Sequence, residues 1–399
     1  MSFPVVGIIA EYNPFHNGHA WHISRIREQC PGAAVLCVMS GHVTQRGTFA
    51  ICRKQIRAAM AVSAGADLVL ELPAAYACAS AERFARGGVA LLLSSGIVTH
   101  LSFGCETGRL EPLAHAAAVL DDPAFLVAQA EALRHGLSYP TARQQALKTL
   151  APEVSDVLNK PNDLLGVEYL RALRHFNADI TPLAIPRQGA AHDAQMPDGR
   201  FAPASFVRTL LLSGQSARSY LPDGTQALWE DERNTGRAPV SMEACEQAML
   251  ATLRRMEPTD WATLPDVSEG LENRLSRAAQ RAVSLEEFYR LVKTKRYTHA
   301  RIRRITLRAY LNLSDVGPEP PPYLRVLAAG ETGLSLLQMM KGRATLPLLT
   351  KPASAKRMGK TVADCFAHEV RVTDLFTLCY PDLTQRTGGH EWTDGPVIL

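Results

Sequence analysis

The fold of this 399-residue chain is decided by the stretch Val5-Val6-Gly7-Ile8-Ile9-Ala10-Glu11-Tyr12-Asn13-Pro14-Phe15-His16-Asn17-Gly18-His19. Residues 4 to 10 are apolar and mostly β-branched or small, which is typical of a strand buried on both faces. Asn13-Pro14 ends the strand, because proline donates no ladder hydrogen bond and biases its predecessor away from the helical region. The spacing becomes helical from Asn17, so His16 and His19 are predicted to lie three apart on one face at a helix start.

This placement of two histidines has a chemical meaning. A helix N-terminus presents unpaired N–H groups and a partial positive charge, which suits a phosphate chain. Two imidazoles there can donate to phosphoryl oxygens as negative charge builds up in a displacement at phosphorus. Gly18 has no Cβ and would let a nucleotide approach the backbone. The alternatives are two surface histidines spaced by chance, or a pair of zinc ligands.

The composition is that of an ordinary globular protein, with 46% hydrophobic and 21% charged residues and room for two domains. The eight cysteines are scattered and form no Cys-x-x-Cys pair, so we expect neither structural zinc nor a disulfide framework. No apolar run is long enough to span a bilayer and no cationic leader precedes the first one. We therefore expect a cytosolic protein with no membrane segment and no metal held by protein ligands.

Strand and helix patterns alternate through the first two hundred residues. Residues 33–39, 67–72, 101–104 and 180–185 are predicted to be strands, and residues 54–64, 80–93 and 112–150 to be helical. This alternation indicates right-handed βαβ units and an α/β fold with a doubly wound parallel sheet. Ligands bind across the carboxyl ends of such strands, where the histidine turn, Ser40-Gly41 and Gly104-Cys105-Glu106 all fall.

Two further polar residues follow predicted element ends. Asn162 precedes a helix over residues 164–173, and from spacing alone it is more readily an N-cap than a ligand contact. Arg187 follows the fifth strand and could clamp phosphate, although a solvated loop arginine is as good an interpretation. Residues 213–237 are rich in Gly, Ser, Asp, Pro and Thr. We therefore predict domains over residues 1–215 and 241–399, the second mainly helical, joined by a linker over 216–240.

Positive charge is concentrated in one segment. Between Arg274 and Arg308 stand eleven Lys or Arg and two acids, a local excess of nine charges on a chain whose formal net charge is +4. On a helix, Arg301, Arg304 and Arg308 would form a cationic stripe beside an apolar one. A solvated face is the ordinary explanation, but the lack of interleaved acids favours contact with a nucleic-acid backbone. Tyr297 or His299 could stack on a base.

The histidine turn is similar to the His-x-Gly-His signature of nucleotidyltransferases and class I aminoacyl-tRNA synthetases. The longer run from Gly7 to His19 resembles one branch, the bacterial tRNA(Met) cytidine acetate ligases. The resemblance extends over nearly the whole chain, through these stretches: Ser40-Gly41, Gln45-Arg46-Gly47, 65–73, Phe103-Gly104, Pro161-Asn162-Asp163, Leu165-Gly166, 268–275 and 293–298. Together these stretches are far more specific than the four-residue signature.

The resemblance implies an ATP-dependent ligase with a nucleotidyltransferase-like, Rossmann-type first domain. It would activate acetate as acetyl-adenylate and acetylate N4 of the wobble cytidine of elongator tRNA(Met), with Mg²⁺ accompanying the triphosphate. His16 and His19 would be catalytic, and the second domain would bind tRNA through Lys293, Lys295, Arg296, Arg301 and Arg304. The implied ATP-binding residues are Gly7, Ile8, Ile9, Ala10, Glu11, Tyr12, Asn13, Pro14, Phe15, His16, Asn17, Gly18, His19, Ala20, Gly104, Asn162 and Arg187.

The chain departs from the family pattern at three places. It has His42-Val43-Thr44 where Asn-Phe-Val is usual, Pro203-Ala204-Ser205 where a helix commonly begins Ser-Ala-Thr, and no aromatic residue near His192. Two other functions therefore stay open at this point. One is an adenylyltransferase that forms a small nucleotide coenzyme, and the other is a catalytically inactive RNA-binding relative.

Overall fold

A computed structural model describes residues 3–188, 198–268, 270–314 and 317–399. His192, where the family pattern has an aromatic nearby, and Glu269, within one of the matching stretches, lie outside the described residues. The strands are Val5–Ala10 (β1), Ala34–Ser40 (β2), Leu68–Leu72 (β3), His100–Cys105 (β4), Thr181–Pro186 (β5), Leu324–Ala329 (β6), Leu348–Leu349 (β7) and Val397–Ile398 (β8).

Helices cover much of the remaining chain. The α-helices are Asn17–Gln29 (α1), Lys54–Ser63 (α2), Ala74–Ala77 (α3), Ala81–Ser94 (α4), Leu110–Leu120 (α5), Pro123–Arg134 (α6), Tyr139–Leu150 (α7), Pro161–His175 (α8), Ala204–Leu212 (α9), Asp223–Asn234 (α10), Glu246–Arg255 (α11), Pro258–Ala262 (α12), Leu271–Arg281 (α13), Leu285–Val292 (α14), His299–Leu311 (α15), Glu331–Met340 (α16), Lys360–Thr377 (α17) and His390–Thr393 (α18). Short 3₁₀ turns are Pro152–Asn159, Arg218–Tyr220, Met242–Cys245, Pro352–Arg357 and Leu383–Gln385.

The sheet has the strand order β5-β4-β1-β2-β3-β6-β7, and β8 pairs with β6. Strands β1 to β5 are mutually parallel, as the alternating pattern predicts. Helices cover both faces of the sheet, so alternate residues of β1 enter different hydrophobic cores. Val5 and Ile9 pack on one face, and Val6 and Ile8 pack on the other. The predicted α/β class with a mostly parallel sheet is confirmed.

The C-terminal part of the chain returns to the first sheet. Strand β6 pairs antiparallel with β3, and β7 and β8 extend that edge. Residues 241–311 are mainly helical as predicted, but the segment after them contributes strands, so it is not a purely helical addition. The predicted linker over 216–240 contains helix α10, whose Trp229 and Glu232 are buried. The boundaries at 215 and 240 stay predictions.

A buried charge network joins the two parts. Lys54 Nζ lies 2.6 Å from a carboxylate oxygen of Glu71 and 2.7 Å from one of Glu391. Arg325 pairs with the same two carboxylates, and the Thr373 hydroxyl donates to Glu391 at 2.6 Å. All four charged side chains are nearly inaccessible to solvent. Because a buried charge is costly without its partner, these contacts tie α2 and β3 to β6 and α18.

His42, one of the departures from the family pattern, is part of this interior. Its ring stacks on Phe376 at a centroid distance of 4.1 Å, and Nδ1 lies 3.2 Å from the Thr373 hydroxyl. The side chain therefore packs against α17 and is buried. Burial, reinforced by Lys54 and Arg57, lowers the pKa of His42 well below its ordinary value. The imidazole is consequently neutral near pH 7.

Candidate active site

The two histidines of the signature lie together at the N-terminus of α1. His16 is the N-cap residue, and its Nδ1 accepts a hydrogen bond from the Gly18 N–H at 3.0 Å. The His16 N–H donates to Nδ1 of His19 at 3.2 Å, and the two rings stack with centroids 3.8 Å apart. Each Nδ1 accepts a hydrogen bond from a backbone N–H and therefore carries no proton. Each neutral ring consequently carries its proton on Nε2. Both rings therefore keep an Nε2–H donor for a ligand.

Gly18 is needed for this arrangement in a way the sequence does not reveal. A Cβ added at residue 18 would lie 2.9 Å from Cε1 and 3.1 Å from Nδ1 of His16. No Cβ tolerates the shorter approach, so a larger residue would displace the imidazole. The sequence-based explanation, a close approach of nucleotide to backbone, is therefore joined by a demonstrable one: Gly18 makes room for the His16 ring.

An aromatic wall fixes the His19 ring. The Tyr12 and Phe15 rings lie 4.8 and 5.3 Å from it, and Phe15 is fully buried. The Tyr12 hydroxyl contacts Cys37 Sγ at 3.4 Å, which anchors the ring to β2. Tyr12 itself adopts a left-handed backbone conformation with φ of 45°, an uncommon value for a bulky residue that these contacts hold in place.

The same surroundings keep the imidazoles uncharged. Burial, followed by Arg187 and Arg208, lowers the pKa of His16 to about 3. Burial also lowers the pKa of His19 well below its ordinary value, with His16 and Arg187 contributing. Near pH 7 both rings are thus neutral donors, and arginines supply the positive charge. A further histidine, His22, has its pKa lowered to about 4 by burial and by Arg187.

Arg187, Asn162 and Gly104, which the sequence places far apart, meet at the ends of β4 and β5. The Arg187 Nη1 donates to Asn162 Oδ1 at 3.4 Å, and a Cβ at Gly104 would lie 3.3 Å from Arg187 Cγ. The positive charge of Arg187 contributes to the lowered pKa values of His16, His19 and His22, so Arg187 lies close enough to interact with all three rings. The structure thus brings these three residues together with the histidine pair.

Asn162 is not the helix cap that its spacing favours. Helix α8 begins at Pro161, its N-cap is Lys160, and no side-chain cap is formed. The Asn162 amide instead lies one residue inside the helix and donates to Glu106. Proline at the first helical position explains the shift, because its fixed φ suits that position and its missing N–H has no helical partner there.

Two carboxylates to which the sequence assigned no role, Glu106 and Asp163, support this side of the site. Glu106 accepts from the Asn162 amide and from the Asp163 N–H, the latter at 2.9 Å. Asp163 is fully buried and accepts from the Glu106 N–H at 2.6 Å and from the Thr107 hydroxyl at 2.6 Å. The loop after β4 is therefore fixed to the start of α8, and Asn162 is fixed with it. The Pro161-Asn162-Asp163 stretch was the available signal.

Arg208 and Ser102 were also missed as candidates. Arg208 projects from α9, a helix whose N-cap residue Pro203 forms no side-chain cap, and donates to the Asn13 carbonyl at 2.6 Å. Ser102 Oγ lies 2.9 Å from His22 Nε2, on the sheet face that carries Gly104. The three-residue spacing could have placed His22 on the same helix face as His19, but not its contact with Ser102.

The remaining predicted ATP-binding residues have other surroundings. Gly7 allows Leu92 to approach, and the side chains of Ile8, Ile9, Ala10 and Phe15 enter the cores. Glu11 accepts from the Gln45 N–H at 2.6 Å, Asn13 accepts from the Ile51 N–H at 2.8 Å, and Pro14, which follows Asn13, is buried. Asn17 and Ala20 line a cavity on another side of α1. For these residues, binding of ATP stays a prediction.

The predicted cationic stripe on α15 is wrong for two of its three arginines. Arg304 is about nine-tenths buried and pairs with Asp266 at 3.2 Å, and Arg308 donates to the carbonyls of Ala75 and Cys78. Arg301 donates to the Asp266 carbonyl at 2.8 Å. These partners come from distant segments, which a helical pattern cannot show.

The segment before α15 is more open. Lys295 and Arg296 are exposed, and Lys293 is partly exposed with its ammonium 2.7 Å from the Thr294 carbonyl. Tyr297 is buried with Arg301 over its ring at 5.2 Å, so the expected base stacking by Tyr297 is wrong, whereas His299 is exposed. Binding of tRNA by Lys293, Lys295, Arg296, Arg301 and Arg304 stays a prediction.

Two general features bear on the alternatives. Among the residues that the structure describes, no group of three or more His, Cys, Asp and Glu could hold a metal ion, so the zinc interpretation of the histidines has no support. No helix within the described ranges is both long and apolar enough to cross a bilayer. The site combines neutral imidazole donors, arginines and a helix N-terminus, which can stabilise a phosphoryl group during displacement.

Comparison with known proteins agrees with this chemistry. The sequence model of the HIGH Nucleotidyl Transferase family matches residues 3–391, so the chain belongs to the HIGH nucleotidyltransferases. A protein of Syntrophomonas wolfei named tRNA(Met) cytidine acetate ligase is 35% identical over 98% of this chain and 99% of its own length. One of the same name from Thermoanaerobacter strain X514 is 37% identical over 94% and 95%. Within the class, the chain is a member of the tRNA(Met) cytidine acetate ligase family.

Solved structures support the same placement. The apo crystal structure of Thermotoga maritima TmcAL superposes with a TM-score of 0.94 at 32% identity, and covers 100% of both chains. A second form of that protein, bound with alpha-thio ATP, gives a TM-score of 0.92 at 31% identity, again with full coverage. The α/β, nucleotidyltransferase-like fold predicted from the sequence resemblance is therefore confirmed.

Proposed function

We propose that this protein is an ATP-dependent acetate ligase that acetylates N4 of the wobble cytidine of elongator tRNA(Met). The observation that carries the proposal is the stacked pair His16 and His19, whose Nε2–H donors share the α1 N-terminus with Arg187 and Arg208. Full-length relatives with this name support the substrate assignment. A cytoplasmic location follows from a tRNA substrate.

The first step is displacement at phosphorus. A carboxylate oxygen of acetate attacks the α-phosphorus of ATP, the bond to the β-phosphate oxygen breaks, and pyrophosphate leaves with its electron pair. Charge grows on phosphoryl oxygens as this happens, so the Nε2–H groups of His16 and His19 and the Arg187 guanidinium stabilise it. The histidine pair is preorganised, because backbone N–H groups and aromatic rings already hold both imidazoles.

The second step is acyl transfer to the base. The exocyclic amine of cytidine attacks the carbonyl carbon of acetyl-adenylate, AMP leaves, and the amine loses one proton. The neutral state of His16 and His19 suits the release of AMP, because a donor stabilises the leaving phosphate without a strong ion pair to hold it. Asn162, Gly104 and Arg187 border the nucleotide side of the site in this proposal.

Mg²⁺ fits this site as part of the bound triphosphate. Because the described residues contain no ready-made cluster of metal ligands, the ion would be held by phosphate oxygens and water, which is its common mode of binding. When bound, it would neutralise charge on the pyrophosphate leaving group. The protein contributes Arg187 and Arg208 to the same charge balance.

The tRNA partner is assigned to the basic segment. We propose that Lys293, Lys295 and Arg296 contact the anticodon stem, with Arg301 and Arg304 mainly holding the segment in place through Asp266. The division into a catalytic part over residues 1–215 and a tRNA-binding part over 241–399 belongs to the same proposal.

The decisive experiment follows labelled acetate into tRNA(Met) with ATP and Mg²⁺. Wild-type protein should transfer label to one cytidine, and His16→Ala and His19→Ala should each lower the rate about a hundredfold. His135→Ala, an exposed histidine at the end of α6, is the matched control. Failure of wild-type protein to label tRNA while it binds ATP would contradict the proposal, and adenylyl transfer to a mononucleotide would favour the coenzyme-forming alternative.

A further inference from the structure

The cavity that Asn17 and Ala20 line lies beside α1, on a side away from the histidine pair. Its volume is about 670 Å³, within the range of small-molecule sites. It opens between the helix and two segments near residues 198–201 and 216–223. Its principal lining residues are Asn17, Trp21, Ser24, Arg200, Arg218 and Asp223.

The cavity shares its framework with the catalytic turn. Asn17 directly follows His16, and its amide donates to the carbonyls of Arg200 at 2.9 Å and Ser219 at 3.0 Å. Both walls are thereby attached to the first turn of α1. Asn17, Trp21 and Ser24 are spaced by four and three residues and form one stripe, whereas His19 and His22 lie on a different face. The cavity is therefore next to the candidate active site and separate from its Arg187 side.

The lining has the chemistry of a nucleotide site. Arg200 and Arg218 are exposed, and neither forms an ion pair with any residue in the described ranges. The Arg200 guanidinium instead lies over the Phe201 ring at 5.4 Å. Trp21 is partly exposed and supplies a flat apolar surface. Two cations suit phosphates, and an indole suits a stacked base.

We propose that this cavity binds a nucleotide of single-stranded RNA that neighbours the acceptor cytidine. The inference rests on the proposed function, because a cytidine base that reacts with acetyl-adenylate must leave its stack in the RNA. The nucleotides next to it then need a binding site close to the active site. Arg200 and Arg218 bind the flanking phosphates, and Trp21 stacks on the neighbouring base. Asp223 accepts from an amino group at the polar edge of that base.

Three variants test the cavity. Trp21→Ala and the double variant Arg200→Ala/Arg218→Ala remove the surface and the cations, and Trp21→Phe keeps an aromatic ring. Arg134→Ala, an exposed arginine at the end of α6, is the control. Binding of an anticodon stem-loop RNA is measured by fluorescence anisotropy at fixed salt. Acetate-dependent exchange of pyrophosphate into ATP, without RNA, reports the first step alone.

We expect Trp21→Ala and the double arginine variant to raise the Kd for RNA about tenfold, with Trp21→Phe and the control near wild type. Exchange should stay within about twofold of wild type in all four, since displacement at phosphorus uses the other side of α1. An unchanged Kd would overturn the proposal. Loss of exchange and of ATP affinity with unchanged RNA binding would assign the cavity to ATP and also overturn it.

Failure of the parent proposal has a different signature. If wild-type protein shows no acetate-dependent exchange, acetate activation is wrong. The cavity is then judged on the RNA Kd values of the same variants, which do not depend on that reaction.

Discussion

At the scale of single residues, the candidate site depends on hydrogen bonds that fix the tautomers of His16 and His19. Backbone N–H groups occupy Nδ1 of both His16 and His19, so the ligand meets two Nε2–H donors. Low pKa values keep these donors neutral through the physiological range. In the proposed function the imidazoles therefore orient and donate, and the arginines carry positive charge.

Gly18→Ala tests how strictly the His16 ring must be placed. The new Cβ would lie 2.9 Å from the ring, so the imidazole must turn away and give up its bond to the Gly18 N–H. Acetate-dependent exchange should fall about tenfold or more, because misplaced donors no longer meet the transition state. Thermal unfolding should change little, since alanine favours helix more than glycine does.

Gly342→Ala is the matched control for this substitution. A Cβ there meets nothing within 4 Å, so both exchange and stability should remain near wild type. A Gly18→Ala protein with full exchange activity would show that the His16 position is not critical.

At the scale of secondary-structure elements, the site depends on how the loop after β4 is joined to α8. The carboxylate of Asp163, inside the first turn of that helix, accepts from the N–H groups of both Glu106 and Thr107. Glu106 in turn holds the Asn162 amide, whose oxygen accepts from Arg187. The buried carboxylate of Asp163 therefore positions three linked side chains at the ends of β4 and β5. They are Glu106, Asn162 and Arg187.

Asp163→Ala should lower the free energy of unfolding by about 3 kcal/mol, since it leaves buried N–H groups without an acceptor. Asp163→Asn keeps one acceptor oxygen and should lose about 1 kcal/mol. Urea denaturation measures both, and the KM for ATP should rise more than kcat falls because Arg187 loses its support.

Asp179→Ala, an exposed carboxylate before β5, provides the comparison for Asp163. It should leave both stability and KM unchanged. Equal effects of Asp163→Ala and Asp179→Ala would show that the contacts of Asp163 with the loop after β4 do not hold the site in place.

The elements also show what the sequence could predict. The strands and the turn from Asn13 to His19 were predictable because apolar runs and proline act locally. The burial of Arg304 was not, because it depends on Asp266, a residue from another segment. Asn162 failed as a cap for a local reason, Pro161, that outweighs its own preference.

At the scale of the whole molecule, a sheet begun by the first residues is completed by the last. The antiparallel pairing of β6 with β3 has no sequence signal, since pairing partners are set by three-dimensional packing. Near that junction lies the buried His42, whose lowered pKa leads us to expect that stability depends on pH.

His42→Asn should make stability less dependent on pH. The pKa of His42 is lower in the folded protein than the ordinary value it regains on unfolding, so below about pH 6.5 the unfolded chain binds one more proton. Stability supplied by the neutral ring is thus present above that pH and lost as pH falls. Between pH 6 and 5, wild type should lose about 1.4 kcal/mol per pH unit more than the variant.

Urea titrations at several pH values measure these slopes. His135→Asn, which alters an exposed imidazole on α6, should keep the wild-type slope. Parallel curves for wild type and His42→Asn would show that protonation of this ring does not contribute to acid unfolding.

The interior contact between Lys54 and Glu391 has a consequence for biosynthesis. The ribosome makes Lys54 337 residues before Glu391. At ordinary translation rates the nascent chain waits on the order of half a minute for this counter-ion. Until then Lys54 can pair with Glu71 but not with Glu391 or beside Arg325, so the four-charge network is completed late in synthesis.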